Sequence, residues 1–134
     1  MVRDHHGGSL WVRYVLLALL VAGQAHAGDA AKGRRIVEDR GVSACLLCHS
    51  GPFPAPHLLG TIGPRLDGVG GRLTQDELRL RLTDPARFNP DTVMPAYGNV
   101  EKPNRVGQAW RGRPILTLEQ IEDVVTFLAS LRAP

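Results

Sequence analysis

Cys45-Leu46-Leu47-Cys48-His49 is the stretch on which the reading of this chain turns. It is a Cys-x-x-Cys-His run, the attachment sequence of a c-type haem. Two thiols separated by two residues reach one macrocycle from a single turn and add to its vinyl groups as thioethers. His49, next in line, is placed to be an axial ligand of the iron. Bare Cys-x-x-Cys also occurs in redox dithiols and zinc sites, so the rest of the chain must decide. A thioredoxin-like dithiol needs a βαβ context, and this run instead leads into a proline-rich loop. A zinc site needs four ligands at a characteristic spacing. Beyond the amino-terminal segment the chain offers only Cys45, Cys48, His49 and His57 as thiol or imidazole donors.

The amino terminus supports the haem reading. Arg3 and Arg13 flank an apolar run from Tyr14 to Ala22, and Ala25-His26-Ala27 has the small-residue pattern of a cleavage site. The run is shorter than the roughly 20 residues a membrane-spanning helix needs. Residues 1–27 therefore read as a cleaved signal peptide and residues 28–134 as one exported domain, with no membrane span after cleavage. Export to the periplasm agrees with haem attachment, which takes place outside the cytoplasm. The two cysteines of the chain are both in the attachment run, so no long-range disulfide is available. A small domain without that staple needs another source of apolar mass, and a covalent haem supplies it. The formal net charge of +3 is reduced by haem propionates. With no basic-aromatic surface motif beside it, the charge does not argue for a nucleic-acid partner.

Three helices are legible beyond residue 27. Asp29 caps the first, which runs to about Arg40 before Gly41 ends it, with Ile36 and Val37 as apolar anchors. Gly33 lies inside it, at a cost of about 1 kcal/mol relative to alanine. A glycine kept there predicts close approach of a crossing helix. Thr74-Gln75-Asp76-Glu77 is a capping box that starts the second helix. Leu78 and Leu82 face inward, Arg79 and Arg81 read as a solvated face, and Asp84-Pro85 stops it. Thr117-Leu118-Glu119-Gln120 opens the third. Its stripe is Ile121, Val124, Val125, Leu128 and Leu131, with Phe127 at the edge. This helix is expected to cross the first near Gly33. The remainder reads as long loops broken by proline and glycine. Loops of that length are uncommon in a compact domain unless they wrap something.

One methionine, Met94, follows Met1. It sits in Val93-Met94-Pro95, in a loop and not on a helix stripe. A thioether suits low-spin haem iron, and His/Met ligation raises the reduction potential. Met94 is therefore read as the second axial ligand, with His57 as its rival. Pro64 is read as the acceptor of the His49 Nδ1–H, fixing the tautomer of the ligand. Arg65, Arg72, Tyr97 and Trp110 are candidates to hold propionates.

Gly28 to Gly33, Cys45–His49, Gly63-Pro64, Met94-Pro95 and the terminal amphipathic helix resemble a class I c-type cytochrome. A narrower likeness lies in Gly60-Thr61-Ile62-Gly63-Pro64, in Asn89-Pro90-Asp91-Thr92-Val93-Met94-Pro95-Ala96-Tyr97, and in Pro114-Ile115-Leu116-Thr117. These blocks resemble the SoxX family, the monohaem subunits of SoxAX cytochromes. The resemblance implies an all-α, cytochrome c-like fold, with three main helices and long loops wrapped around one haem c bound through Cys45 and Cys48. It implies a SoxA-type partner carrying one or two haems, in which a modified cysteine ligand is the reaction site. There thiosulfate is joined oxidatively to a cysteine of the SoxYZ carrier, the L-cysteine S-thiosulfotransferase reaction. This chain would be the non-catalytic subunit that passes the electrons to a soluble acceptor. The alternative is a free periplasmic electron carrier.

Overall fold

The structure, a computed structural model, describes residues 27–100 and 112–132. The expected signal peptide, apart from Ala27, and Trp110 lie outside the described residues. Five α-helices are present among them: α1 (Ala30–Glu38), α2 (Cys45–Cys48), α3 (Val69–Arg72), α4 (Gln75–Thr83) and α5 (Leu118–Ser130). Two 3₁₀ turns, Pro56–Leu58 and Pro85–Arg87, lie in the loops. No strand occurs among the described residues, and no helix there is long and apolar enough to cross a membrane.

The crossing of α1 and α5 is the frame of the molecule. Asp29 caps α1 by accepting from the N–H groups of Ala31 at 2.8 Å and Lys32 at 3.0 Å. Its own N–H donates to Asp123 Oδ1 at 2.6 Å, which ties the start of α1 to the middle of α5. Gly33 is buried against α5, where any Cβ would meet the Asp123 carbonyl and lie 2.9 Å from Phe127 Cβ. Phe127 is buried, and its ring lies 6.3 Å from that of Phe53, tying the first long loop to α5. Val37, Leu116, Ile121, Val124 and Val125 are the most completely buried side chains. α3 docks on the far end of α5, where the Gly70 N–H donates to the Leu131 carbonyl at 3.0 Å.

Three expectations need correction. α1 stops at Glu38, two residues early, because the Asp39 carboxylate accepts from the Gly41 and Val42 N–H groups and turns the chain out of the helix. α5 stops at Ser130, and Leu131 is its C-cap, bonded through its N–H to the Leu128 carbonyl at 3.1 Å. Arg79 and Arg81 are not merely a solvated face. Arg79 grips Glu122 of α5 with two hydrogen bonds of 2.5 and 2.7 Å and also pairs with Asp76. Arg81 stacks on Phe88.

The Arg79 fork holds the Glu122 carboxyl below the usual carboxylate range. A depressed folded-state pKa means that the pair stabilises the fold above the unfolded value near 4.5. The contribution fades as acid carries the pH down through the lowered folded value. Arg79→Ala is expected to cost about 1 kcal/mol at neutral pH, the upper end for a part-exposed pair. Denaturant titration checks this, and the difference from the unsubstituted chain should shrink in strong acid and in high salt.

Candidate haem site

The attachment run folds as α2, a single turn entered through Ala44 in the left-handed region at φ 56°. Three residues apart on one turn, Cys45 and Cys48 share a side. Cys45 is buried and Cys48 half-buried. His49 is the C-cap, and its N–H closes the turn on the Cys45 carbonyl at 2.9 Å. Its extended backbone sends the ring off the helix axis.

A short helix leaves its last carbonyls without partners. Residues 60–66 supply them. Gly60 N–H donates to the Leu46 carbonyl at 3.0 Å and Gly63 N–H to the Cys48 carbonyl at 2.8 Å. Leu66 N–H donates to the Ser50 carbonyl at 2.8 Å. This strap brings the Pro64 carbonyl to 2.7 Å from His49 Nδ1. A carbonyl only accepts, so the contact places the proton on Nδ1 and leaves the Nε2 lone pair free. Gly63 lies flat against the same imidazole. A Cβ there would come within 2.6 Å of Nδ1 and 2.8 Å of Nε2.

Met94 comes from a separate loop, later in the chain. Its loop leaves α4 through the 3₁₀ turn at Pro85 and folds on Asn89, whose carbonyl accepts from Thr92 N–H at 3.1 Å. Thr92 Oγ1 in turn accepts from the Met94 N–H at 3.1 Å. Beyond it, Tyr97 is an anchor. Its N–H donates to the Leu82 carbonyl at 2.8 Å, and its carbonyl accepts from Leu116 N–H at 3.1 Å. The buried Tyr97 hydroxyl donates to the Ser43 carbonyl at 2.7 Å and lies 3.7 Å from Cys45 Sγ. Burial, with the Cys45 thiol beside it, pushes this phenol well above its usual pKa. The loop that carries Met94 is thereby tied to the turn that carries the thiols.

Cys45, Cys48, His49, Pro64 and Met94 all line one cavity of about 760 Å³, in the size range of cofactor pockets. Leu66, Leu78, Leu82, Val124 and Leu128 give it an apolar wall. Arg65, Arg72 and Tyr97 reach the same cavity. Arg65 is paired with Asp67 at 2.8 Å, and Arg72 spends its donors on the carbonyls of Asp67 and Arg65. His57 sits exposed in the 3₁₀ turn Pro56–Leu58, apart from the cavity lining. Among the described residues no group of three or more His, Cys, Asp or Glu side chains is arranged to hold a metal ion. The donor set of the cavity is instead two thiols on one turn, an imidazole with a free Nε2 and a thioether. That set fits a covalently held haem.

Sequence reasoning missed two residues here. Gly63 was read only as part of the Gly-Pro block, although a glycine beside a ligand's acceptor is a signal of close packing. Arg81 was placed with solvent, although it lies three residues beyond the inward Leu78 and so shares its side of α4.

A scan against protein-family models and a search of curated proteins find no match. Among solved structures, the crystal structure of SoxXA from P. pantotrophus matches with a TM-score of 0.69 and 35% sequence identity. The match covers 78% of this chain and 82% of that one.

Proposed function

Because this chain belongs to the SoxX family of cytochromes and has their all-α, cytochrome c-like fold, we propose that it is the electron-transfer subunit of a periplasmic SoxAX-type complex. The observation that carries this reading is the convergence of Cys45, Cys48, His49 and Met94 on one apolar cavity. When bound there, a haem c supplies a centre that takes up and returns one electron at a time. The chain's own residues do the rest. Cys45 and Cys48 tether the group through thioethers. Pro64 holds the His49 proton on Nδ1, which leaves Nε2 free and would make it a strengthened donor to the iron. Met94, lining the same cavity, would offer its thioether as a second ligand, and the apolar wall keeps water out. Both features favour a high reduction potential.

A SoxA-type partner carries the reaction site. There thiosulfate and a SoxYZ cysteine join as an S-thiosulfonate, releasing two electrons and one proton. This chain receives the electrons and hands them to a soluble acceptor. It brings no catalytic residue of its own, since both thiols are consumed in attachment. Residues 1–27 are its export signal.

Purification from cells grown on thiosulfate tests the assignment. A second, larger haem-staining chain is expected to elute with this one in fixed stoichiometry. Elution as a lone monohaem monomer, from cells that hold the candidate partner, would favour a free carrier instead. Met94→Ala tests the ligand. The weak far-red band of Met-ligated ferric haem should vanish and the midpoint potential should fall, whereas persistence of the band would remove Met94 from the ligand set.

A further inference from the structure

Arg81 is a cation with no hydrogen-bonded anion among the described residues. It lines the cavity from α4, beside Leu82 and facing the loop that carries Met94. Its guanidinium carbon sits 4.1 Å from the centroid of the Phe88 ring. That stack fixes the plane of the fork and covers one of its faces. Its Nε is buried with no hydrogen-bond partner, and no ion pair to Arg81 occurs among the described residues. A buried donor left unpaired is unfavourable, and a charge placed beside an apolar wall needs a counter-charge.

The chain's own carboxylates do not meet that need. Glu77, one turn back on α4, feels the Arg81 charge through space but spends its hydrogen bonds on the Thr74 N–H and hydroxyl at 2.8 and 2.9 Å. Asp91 lines the cavity and makes no pair with Arg81. The other two arginines of the cavity are engaged, Arg65 by Asp67 and Arg72 by backbone carbonyls. Arg81 alone among them lines the cavity with no hydrogen bond or ion pair to another described residue.

We infer that Arg81 is the charge partner of a carboxylate on the group that fills the cavity, a propionate of the haem. The pairing would engage the terminal nitrogens of the guanidinium, since Nε is itself enclosed by protein, and a guanidinium is the side chain best suited to bind a carboxylate. It also sets the electrostatics of the centre. A propionate paired with Arg81 stays ionised into acid, and its negative charge is neutralised on site. Without Arg81 the bare carboxylate favours the ferric state and takes up a proton at higher pH. The inference rests on the haem reading proposed above.

The test is the midpoint potential of haem-loaded protein from mildly acidic to mildly alkaline pH. Unsubstituted protein, Arg81→Gln and Arg81→Lys are compared. His49, Asp91, Glu77, Arg65, Arg72 and Tyr97 are present in all three, so the difference between curves isolates residue 81. Unsubstituted protein is expected to give a flat profile. Arg81→Gln should show a lower midpoint near neutrality that climbs as acid protonates the carboxylate. Arg81→Lys keeps the charge but not the fork, and should show a smaller slope of the same sign. Should Arg81→Gln fail to load haem, Arg81→Lys alone carries the test. A lowered midpoint with a pH profile parallel to the unsubstituted protein would reduce Arg81 to a distant charge and overturn the pairing, as would no change at all. A chain that carries no haem before any substitution would fail the haem reading itself, whereas parallel profiles on haem-loaded protein fail only this inference.

Discussion

Gly33→Leu is expected to lower stability by about 3 kcal/mol or more, the upper end of what overpacking costs. The cause is local and backbone-bound. A side chain at 33 begins against the Asp123 carbonyl, with Phe127 Cβ 2.9 Å away. Neither neighbour is the free end of a flexible side chain, so α1 and α5 must move apart. Separation also breaks the bond from Asp29 N–H to Asp123. In a domain of this size the melting temperature should fall by roughly 12 °C or more. Ala31→Leu is the control: Ala31 is exposed on the same helix, and that substitution should leave the melting temperature nearly unchanged. If both variants melt like the unsubstituted chain, the crossing does not depend on Gly33.

Gly63→Ala is expected to act on the ligand and not on the helix frame. One methyl group at 63 collides with the face of the His49 ring. The imidazole must turn, and the 2.7 Å contact with the Pro64 carbonyl is lost. Loss of such an outer partner costs about tenfold or more in ligand quality. The yield of low-spin holoprotein should drop by a similar factor, with little change in helix content by circular dichroism. Pro64→Ala makes the useful contrast. The acceptor is a backbone oxygen, so that variant keeps the bond and should be much milder. Equal yields from Gly63→Ala and Pro64→Ala would show that the glycine does not seat the imidazole.

The helices were legible because their signals are local. Thr74 and Thr117 each open a capping box that the structure contains, with both reciprocal bonds in place. Gly33 pointed to the crossing because a glycine inside a helix has a cost that only a close neighbour repays. The two short helices were not legible. α2 and α3 are four residues each and are entered through the left-handed residues Ala44 and Gly68. One turn has no periodicity to read, and each is held by bonds to distant segments: the strap at residues 60–66 for α2 and Leu131 for α3. The Arg79–Glu122 pair spans α4 and α5, and a spacing of 43 residues leaves no trace in sequence. At the site, the residue types announced the chemistry, but how they come together depends on loops. The Tyr97 hydroxyl reaches back 54 residues to the Ser43 carbonyl, and no pattern encodes that contact.

The most direct test of the account is the intact mass of the exported protein from cells competent in c-type haem attachment, taken after denaturation and acid-acetone extraction. The account predicts one species that begins at Gly28 and exceeds its chain mass by a single haem. Cys45→Ser with Cys48→Ser should lose that haem completely. A chain that emerges from extraction without haem would contradict the covalent site at Cys45 and Cys48, and with it the electron-transfer role built on that site.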